Sequence, residues 1–228
     1  VTEPTPAERV ERVESEISEA ARSAGRARDE LTLIAVTKFH PASLVRELHA
    51  AGLRDFGENR HREAREKAAE LADLELGWHF VGQLQTKKAR QAREYASVLH
   101  SLDREALVDA LAVPAEGDGP LDAFLQVNLT DDPERGGVRP EEAEALAERV
   151  AGASGLRLLG VMAVAPLDEE PRAAFARLRT VGDRVRTVVP EARWMSAGMS
   201  NDFAEAIAEG ATHLRIGTAI TGNRPPRD

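Results

Sequence analysis

Apolar residues follow two alternating regimes along this chain. Short continuous runs rich in β-branched and aromatic residues give way to longer stretches with apolar positions three and four apart, and then the runs return. The first helical stretch opens with Thr5, Pro6, Ala7 and Glu8, a capping-box pattern with proline at the first helical position. Val10, Val13, Ile17, Ala20, Ala21 and Ala24 then recur at helical spacing, and Gly25 supplies a stop. The next run, LTLIAVT at 31–37, is continuously apolar, as a strand buried on both faces must be. Further strands are predicted over 54–57, 78–82, 97–102, 122–129, 156–164, 193–196 and 213–216. Helices are predicted between them over 41–51, 60–71, 86–95, 103–112, 140–151, 171–188 and 200–209.

Eight strands with a helix between each successive pair call for a parallel sheet with helical crossovers. Eight such units predict a closed (β/α)8 TIM barrel carrying an extra N-terminal helix. The 228 residues fall slightly short of the roughly 250 typical of that fold, so the loops must be short. An open doubly wound sheet is the other architecture, but no Gly-rich dinucleotide fingerprint follows 31–37. The stretch PAEGDGP at 114–120 reads as a loop with no composition shift across it. The whole chain, 1–228, is expected to be one domain, with 1–28 forming a helix packed on the barrel.

Composition narrows the function classes. Lys plus Arg number 30 and Asp plus Glu 39, a net charge of −9 that repels phosphate backbones, so nucleic acid is not an expected partner. The absence of cysteine excludes disulfide scaffolds, thiolate metal sites and cysteine nucleophiles. The six histidines show no metal-ligand spacing, so no metal is expected. No apolar run approaches the roughly 20 residues needed to span a bilayer. Residues 1–12 are polar and acidic, unlike a secretory signal, which makes the cytoplasm the expected location.

Working residues of such barrels lie at the C-terminal ends of strands. Lys38 directly follows the first strand, in AVTKFHP. A partly desolvated lysine there has a lowered pKa and can attack an aldehyde to form a Schiff base; an ion pair at the rim is the alternative. At the far end, SAGMSNDF (196–203) and RIGTAITG (215–222) follow the seventh and eighth strands, the recurrent phosphate position of this fold. Gly198 permits close backbone approach, Ser200 suits the N-cap of the next helix, and Gly217 and Thr218 offer an N–H and a hydroxyl. Arg215, at the end of the last strand, either faces a ligand or makes a salt bridge across the mouth. Asn59, in GEN (57–59), either contacts a ligand or caps the following helix. His79 reads as a satisfied core histidine. Lys87 and Lys88 read as solvated, and so does the helix face bearing Arg60, His61, Arg62, Arg65 and Lys67 among Glu63, Glu66 and Glu70.

Taken together, AVTKFHP, FGENR, WHFVGQLQTKK, GVMAV, SAGMSND and RIGTAITG resemble the pyridoxal phosphate homeostasis protein family, single-domain relatives of the alanine racemase barrel. The motifs run in that family's order from Ala35 to Gly222. The resemblance implies pyridoxal 5′-phosphate (PLP) held as an internal aldimine on Lys38. It implies phosphate contacts around Ser200, Gly217 and Thr218, and Arg215 near the pyridine nitrogen. Asn59, Ser196 and Met199 are implied to line the same pocket. The sequence departs from the family where Lys87-Lys88 replace the usual Asn-Lys, where Ala197 replaces Met, and where Arg135 stands for a common Lys.

The resemblance implies a carrier or regulator in vitamin B6 and amino-acid homeostasis, with no established catalytic reaction and with apo PLP enzymes as possible recipients. The competing readings are a PLP-dependent amino-acid racemase and a phosphosugar enzyme using Lys38 in an aldolase-like Schiff base. A racemase needs bases on both faces of the substrate carbanion. The single tyrosine, Tyr95, is predicted late in a helix, away from the mouth. A monomer is expected, because no long apolar surface stripe is left over.

Overall fold

The computed structural model describes residues 3–114, 119–132 and 134–223. The inner part of the 114–120 loop, residues 115–118, lies outside the described residues. Eight strands hydrogen-bond in chain order into a closed barrel: β1 (Thr32–Val36), β2 (Asp55–Glu58), β3 (Gly77–Phe80), β4 (Val98–Leu102), β5 (Leu121–Gln126), β6 (Leu156–Met162), β7 (Trp194–Ser196) and β8 (His213–Ile216). Every neighbouring pair is parallel, and β8 returns to β1 with Thr32 opposite His213 and Ala35 opposite Ile216. Between the strands run α2 (Ala42–Ala50), α3 (His61–Glu70), α4 (Ala89–Arg93), α5 (Glu105–Leu111), α6 (Ala143–Ala151), α7 (Pro171–Val188) and α8 (Phe203–Ala208). They are preceded by α1 (Pro6–Ser23) and followed by the short α9 (Thr218–Thr221).

The predicted architecture is the observed one, and the boundaries differ for local reasons. The helix expected over 86–95 begins as a 3-10 turn, Thr86–Lys88, before α4; Pro140–Glu142 likewise precedes α6. The strand expected to reach 129 stops at Gln126. Beyond it Asn128 turns the chain: its Oδ1 accepts from the Thr130 amide and hydroxyl, and its Nδ2 donates to the Asp132 and Arg135 carbonyls.

The N-terminal helix forms as its capping box predicts. The Thr5 hydroxyl accepts from the Glu8 amide at 3.3 Å, and the Glu8 carboxylate accepts from the Thr5 amide at 2.7 Å. Its buried stripe, Val10, Val13, Ile17 and Ala21, packs on α8 and α9. Each of the three larger side chains contributes about 1.5–3 kcal/mol by leaving water. Arg9 Nε donates to the Ile220 carbonyl at 2.6 Å, and Arg26 donates to the carbonyls of Ile207 and Ala211. The helix thus braces the last two βα units from outside.

Alternation along the strands sorts side chains between two environments. Leu33, Ala35, Phe56, Phe80 and Leu99 join the apolar layer beneath the helices. The opposite parity faces the barrel axis. A Cβ placed on Gly57 would lie 3.1–3.2 Å from the Cγ2 methyls of Val36 and Ile34, so these positions share the interior. There Val98, Phe124, Leu159 and Met162 form a separate small apolar cluster. Barrel interiors of this type are dominated by bulky branched residues. This one instead gives much of its space to polar groups.

Candidate functional site

Lys38 lies just past the C-terminal end of β1, half-buried, two positions beyond inward-facing Val36. The residues on either side of it are anchored from the helix layer. Thr37 faces outward, and its hydroxyl donates to Glu58 Oε1 at 2.8 Å. Lys67, on α3, donates to the Thr37 carbonyl, to Glu58 Oε1 and to Glu63 Oε1 at 2.8, 2.7 and 2.8 Å, which uses all three ammonium protons. Glu63 Oε1 also accepts from the Phe39 amide at 2.5 Å. Phe39 adopts a left-handed φ of 70°, unusual for a bulky residue, and the Arg60 guanidinium lies 4.7 Å from its ring centre. Burial pushes the Glu58 carboxyl above its usual range, opposed chiefly by the Lys67 charge. Lys67 is therefore a buried ion-pair member, not part of the solvated face expected of it; Arg62 and Glu66 on that face do form the i,i+4 pair.

The loops after β7 and β8 sit beside this strand end, because β8 is hydrogen-bonded to β1. A Cβ at Gly217 would lie 3.8 Å from both Val36 Cβ and its carbonyl oxygen. The Arg215 amide donates to the Gly198 carbonyl at 2.9 Å and ties the two loops together. Gly198 has φ +92°, and a Cβ there would meet Ala206 Cβ at 2.8 Å and Phe203 Cα at 2.9 Å, so glycine is required. Ser200 is not the N-cap expected for the following helix. That helix starts at Phe203 with Asp202 in the cap position, and the Asp202 carboxylate accepts from the Met199 amide at 2.6 Å instead. The chain makes a tight turn over 199–202 before it can coil. Among the described residues, neither the amide nor the hydroxyl of Ser200 has a hydrogen-bond partner. Gly217 caps α9, a one-turn helix absent from the sequence prediction, which begins at Thr218. Met199 is partly exposed at the rim.

Asn59 does not cap α3. Arg60 holds that position without a side-chain bond, and Asn59 Oδ1 is buried with no partner among the described residues. Arg215 is buried. It donates from one terminal nitrogen to Ser196 Oγ at 2.5 Å and from the other to the Ala163 carbonyl at 2.9 Å. Among the described residues no carboxylate forms a salt bridge with it, so the alternative of a salt bridge across the mouth is not formed; burial lowers its pKa to about 10. Among the described residues the other N–H groups of its fork make no hydrogen bond.

Beneath Arg215 the polar interior is continuous. His79 Nε2 lies 3.0 Å from Asp55 Oδ1, His79 Nδ1 lies 2.9 Å from His100 Nε2, and His100 Nδ1 lies 2.8 Å from Ser196 Oγ. His79 is thus the satisfied core histidine expected. His100 on β4 and Ser196 on β7 belong to non-adjacent strands, so their bond crosses the barrel. His100 stacks on Phe124 at 4.8 Å, and Phe124 meets His213 edge-on at 4.9 Å. Burial pushes the His100 pKa well below its usual value and that of His213 to about 3. Both rings are neutral at pH 7.

A family model described as the alanine racemase N-terminal domain matches residues 10–225 of this chain. The pyridoxal phosphate homeostasis protein of Pseudomonas aeruginosa is 46% identical over 225 residues, covering 96% of each chain. The Escherichia coli protein of the same name is 38% identical, covering 93% and 94%. This chain belongs to the pyridoxal phosphate homeostasis protein family. Its likeness to solved members is equally broad. PipY of Synechococcus elongatus without PLP superposes with a TM-score of 0.85 at 38% identity, covering 96% of this chain and all of that one. PipY with PLP bound superposes at 0.80 and 39% identity, covering 90% and 100%. Alanine racemase from Corynebacterium glutamicum shares the fold at 18% identity and TM-score 0.71; this family member spans 61% of that chain.

The departures from the family pattern lie outside the anchored Lys38 segment. Lys88 donates to Gln91 Oε1 at 3.2 Å beside the exposed Lys87, Ala197 is buried, and Arg135 sits in the β5–α6 loop. Sequence reading missed Glu58, Glu63 and Lys67 as anchors of Thr37 and Phe39 on either side of Lys38, and Asp55 and His100 as members of the interior line. The Glu63–Lys67 spacing was visible but equally suits a surface pair. Among the described residues no helix is long and apolar enough to cross a membrane, and no cluster of three metal-ligating side chains occurs.

Proposed function

We propose that this chain binds PLP through Lys38 and acts as a carrier or regulator in vitamin B6 and amino-acid homeostasis rather than as a racemase. The observation that carries the reading is the pairing of β1 with β8, with Lys38 at the end of one strand and the Gly217–Thr218 turn at the end of the other. The residues present fit the group: the orphaned Asn59 Oδ1 is a polar atom without a partner, Ser200 keeps an uncommitted amide and hydroxyl, and the Arg215 fork has N–H groups to spare. When bound, PLP supplies an aldehyde that a neutral lysine amine converts to a Schiff base with loss of water. Ser200, Gly217 and Thr218 would hold its phosphate, Arg215 its pyridine nitrogen, and Asn59, Ser196 and Met199 would line the pocket. A charged guanidinium at that nitrogen would leave no proton there, which would weaken the ring as an electron sink and suit storage over carbanion chemistry.

Racemisation would need a second base, and Tyr95 is a poor candidate. It lies in the helix layer, its hydroxyl 3.2 Å from His61 Nδ1, and burial together with the Glu58 charge raises its pKa. The same reading treats 1–228 as one domain, places the protein in the cytoplasm as a monomer, and names apo PLP enzymes as recipients. The test is direct. Protein reconstituted with PLP should be yellow, bleach on borohydride reduction and retain pyridoxyl on Lys38 by peptide mass spectrometry. Lys38→Ala should take no label. Sustained racemisation of an amino acid above the rate with free PLP, read on a chiral column, would defeat the carrier reading. A colourless, unlabelled protein would defeat PLP binding itself.

A further inference from the structure

The interior line from Asp55 to Arg215 admits one proton arrangement when both imidazoles are neutral. Its ends are fixed: the Arg215 guanidinium only donates, and the Asp55 carboxylate only accepts. Three links lie between Ser196 and Asp55, and three protons are available, one each on the Ser196 hydroxyl, His100 and His79. The last link needs the His79 proton on Nε2, since Asp55 has none to give. His79 Nδ1 is then a lone pair, so the next link needs the His100 proton on Nε2. His100 Nδ1 in turn accepts from the Ser196 hydroxyl, which leaves Ser196 Oγ with lone pairs for the Arg215 N–H. Every donor points toward Asp55.

The line also has a direction in space. Asp55 is the first residue of β2, at the N-terminal rim, with its side chain 37% exposed, whereas Ser196 ends β7 at the opposite rim. It therefore joins solvent below the barrel to the mouth above. A buried hydroxyl beside a buried arginine has other orientations open to it, including donation into the mouth. The chain of rings removes them by giving the Ser196 proton a single acceptor.

We propose that Asp55, His79 and His100 are positioning residues that set the Ser196 hydroxyl as an acceptor and so hold the Arg215 guanidinium in its orientation at the barrel mouth. The consequence for PLP rests on the reading of Arg215 as the pyridine-nitrogen contact; the proton arrangement itself does not. Among the described residues the Asp55 carboxylate hydrogen-bonds His79 and no residue of the mouth, so its influence there passes through both rings.

The test uses the full chain without PLP, labelled with 15N at histidine, and reads tautomers from two-bond 1H–15N correlations at pH 7. His79 and His100 should each carry a single ring proton, on Nε2. Asp55→Ala should move the His100 nitrogen shifts, although the two residues do not touch, while the thermal midpoint of the variant stays close to that of the parent. Asp55→Asn, which retains a carbonyl acceptor, should restore the parental His100 shifts. A His100 proton on Nδ1, or His100 shifts indifferent to Asp55→Ala, would overturn the proposal. Should Asp55→Ala not fold, the parental tautomers and Asp55→Asn still decide. In a second arm, PLP should bind Asp55→Ala about fivefold more weakly, the effect of losing the net worth of one hydrogen bond. Altered tautomers with unchanged PLP affinity would sever the line from the mouth. A parent that binds no PLP would overturn the cofactor reading, while the tautomers would still report on the line.

Discussion

Replacing Lys67 with methionine removes the centre of the buried ion triad that holds the segment carrying Lys38. Met fills similar volume but removes three donors, those to the Thr37 carbonyl, Glu58 and Glu63. Glu58, 1% exposed, would keep only the Thr37 hydroxyl; its Oε2 already lacks a partner. Removing one member of a buried pair costs about 3–5 kcal/mol, because the other charge is left uncompensated. Against a typical total stability of about 5–15 kcal/mol, that is a large fraction. The sign with pH follows from Glu58. Burial already raises its pKa, and Lys67 is the main opposing influence, so the variant's folded pKa rises further above the unfolded value of 4.5. In that window the folded state binds more protons than the unfolded state, so the variant regains stability as pH falls from neutral toward about 4.5. Urea unfolding at pH 7.5 and 5.5 would measure both effects, and Glu58→Gln added to Lys67→Met should recover most of the loss. A loss below about 1 kcal/mol, or one constant across pH, would refute the reasoning. Because the triad grips the Thr37 carbonyl and the Phe39 amide, Lys67→Met should also retain PLP less well in dialysis.

Acid should destabilise the parent protein through the buried rings. The folded pKa values of His100 and His213 lie below 6.5, so the unfolded chain takes up protons first and stability falls as pH drops below about 6.5, by about 1.4 kcal/mol per unit for each ring. For His213 the loss continues down to about pH 3, while Glu58 opposes it just above pH 4.5. Urea midpoints that stay flat from pH 6.5 to 5 would contradict this. Gly198→Ala should cost about 2 kcal/mol or more, from the left-handed φ and from the contact with Ala206, and lower the melting temperature by about 4–8 °C. The same variant should weaken PLP binding, because the turn carrying Ser200 would shift; calorimetry and a PLP titration check the two effects separately.

The fold was legible because its signals are local and repeated. An apolar run between amphipathic stretches marks each βα unit, and eight such units leave few topologies. The positions of Lys38 and the two loops were legible for the same reason: each directly follows a strand, the end at which a barrel of this kind is expected to keep its chemistry. The Ser200 cap failed because capping is a competition between neighbours. Asp202 is equally suited by residue type, and the turn over 199–202 decided between them. Glu58 and Lys67 lie nine positions apart on a strand and a helix, a relation that no helical or strand period expresses. Lys67 therefore passed for one more charge on a charged helix.

The interior line was invisible for a different reason, which also explains why it bears on function. Strand alternation tells that His79 and His100 share a parity with their strands' other inward residues, but it says nothing of height along the axis. The barrel's stagger brings His100 of β4 level with Ser196 of β7. Packing alone would fill this axis with apolar side chains, as Val98, Phe124, Leu159 and Met162 fill part of it. Burying two imidazoles, a hydroxyl and a guanidinium instead, with a half-exposed aspartate at the lower end, is tolerable only because each member satisfies the next. A structural role would be served as well by a network closed on itself. This one ends on Arg215, at the C-terminal end of β8, whose guanidinium makes only two of its possible bonds among the described residues; on the proposed reading, a ligand at the mouth would take up the rest.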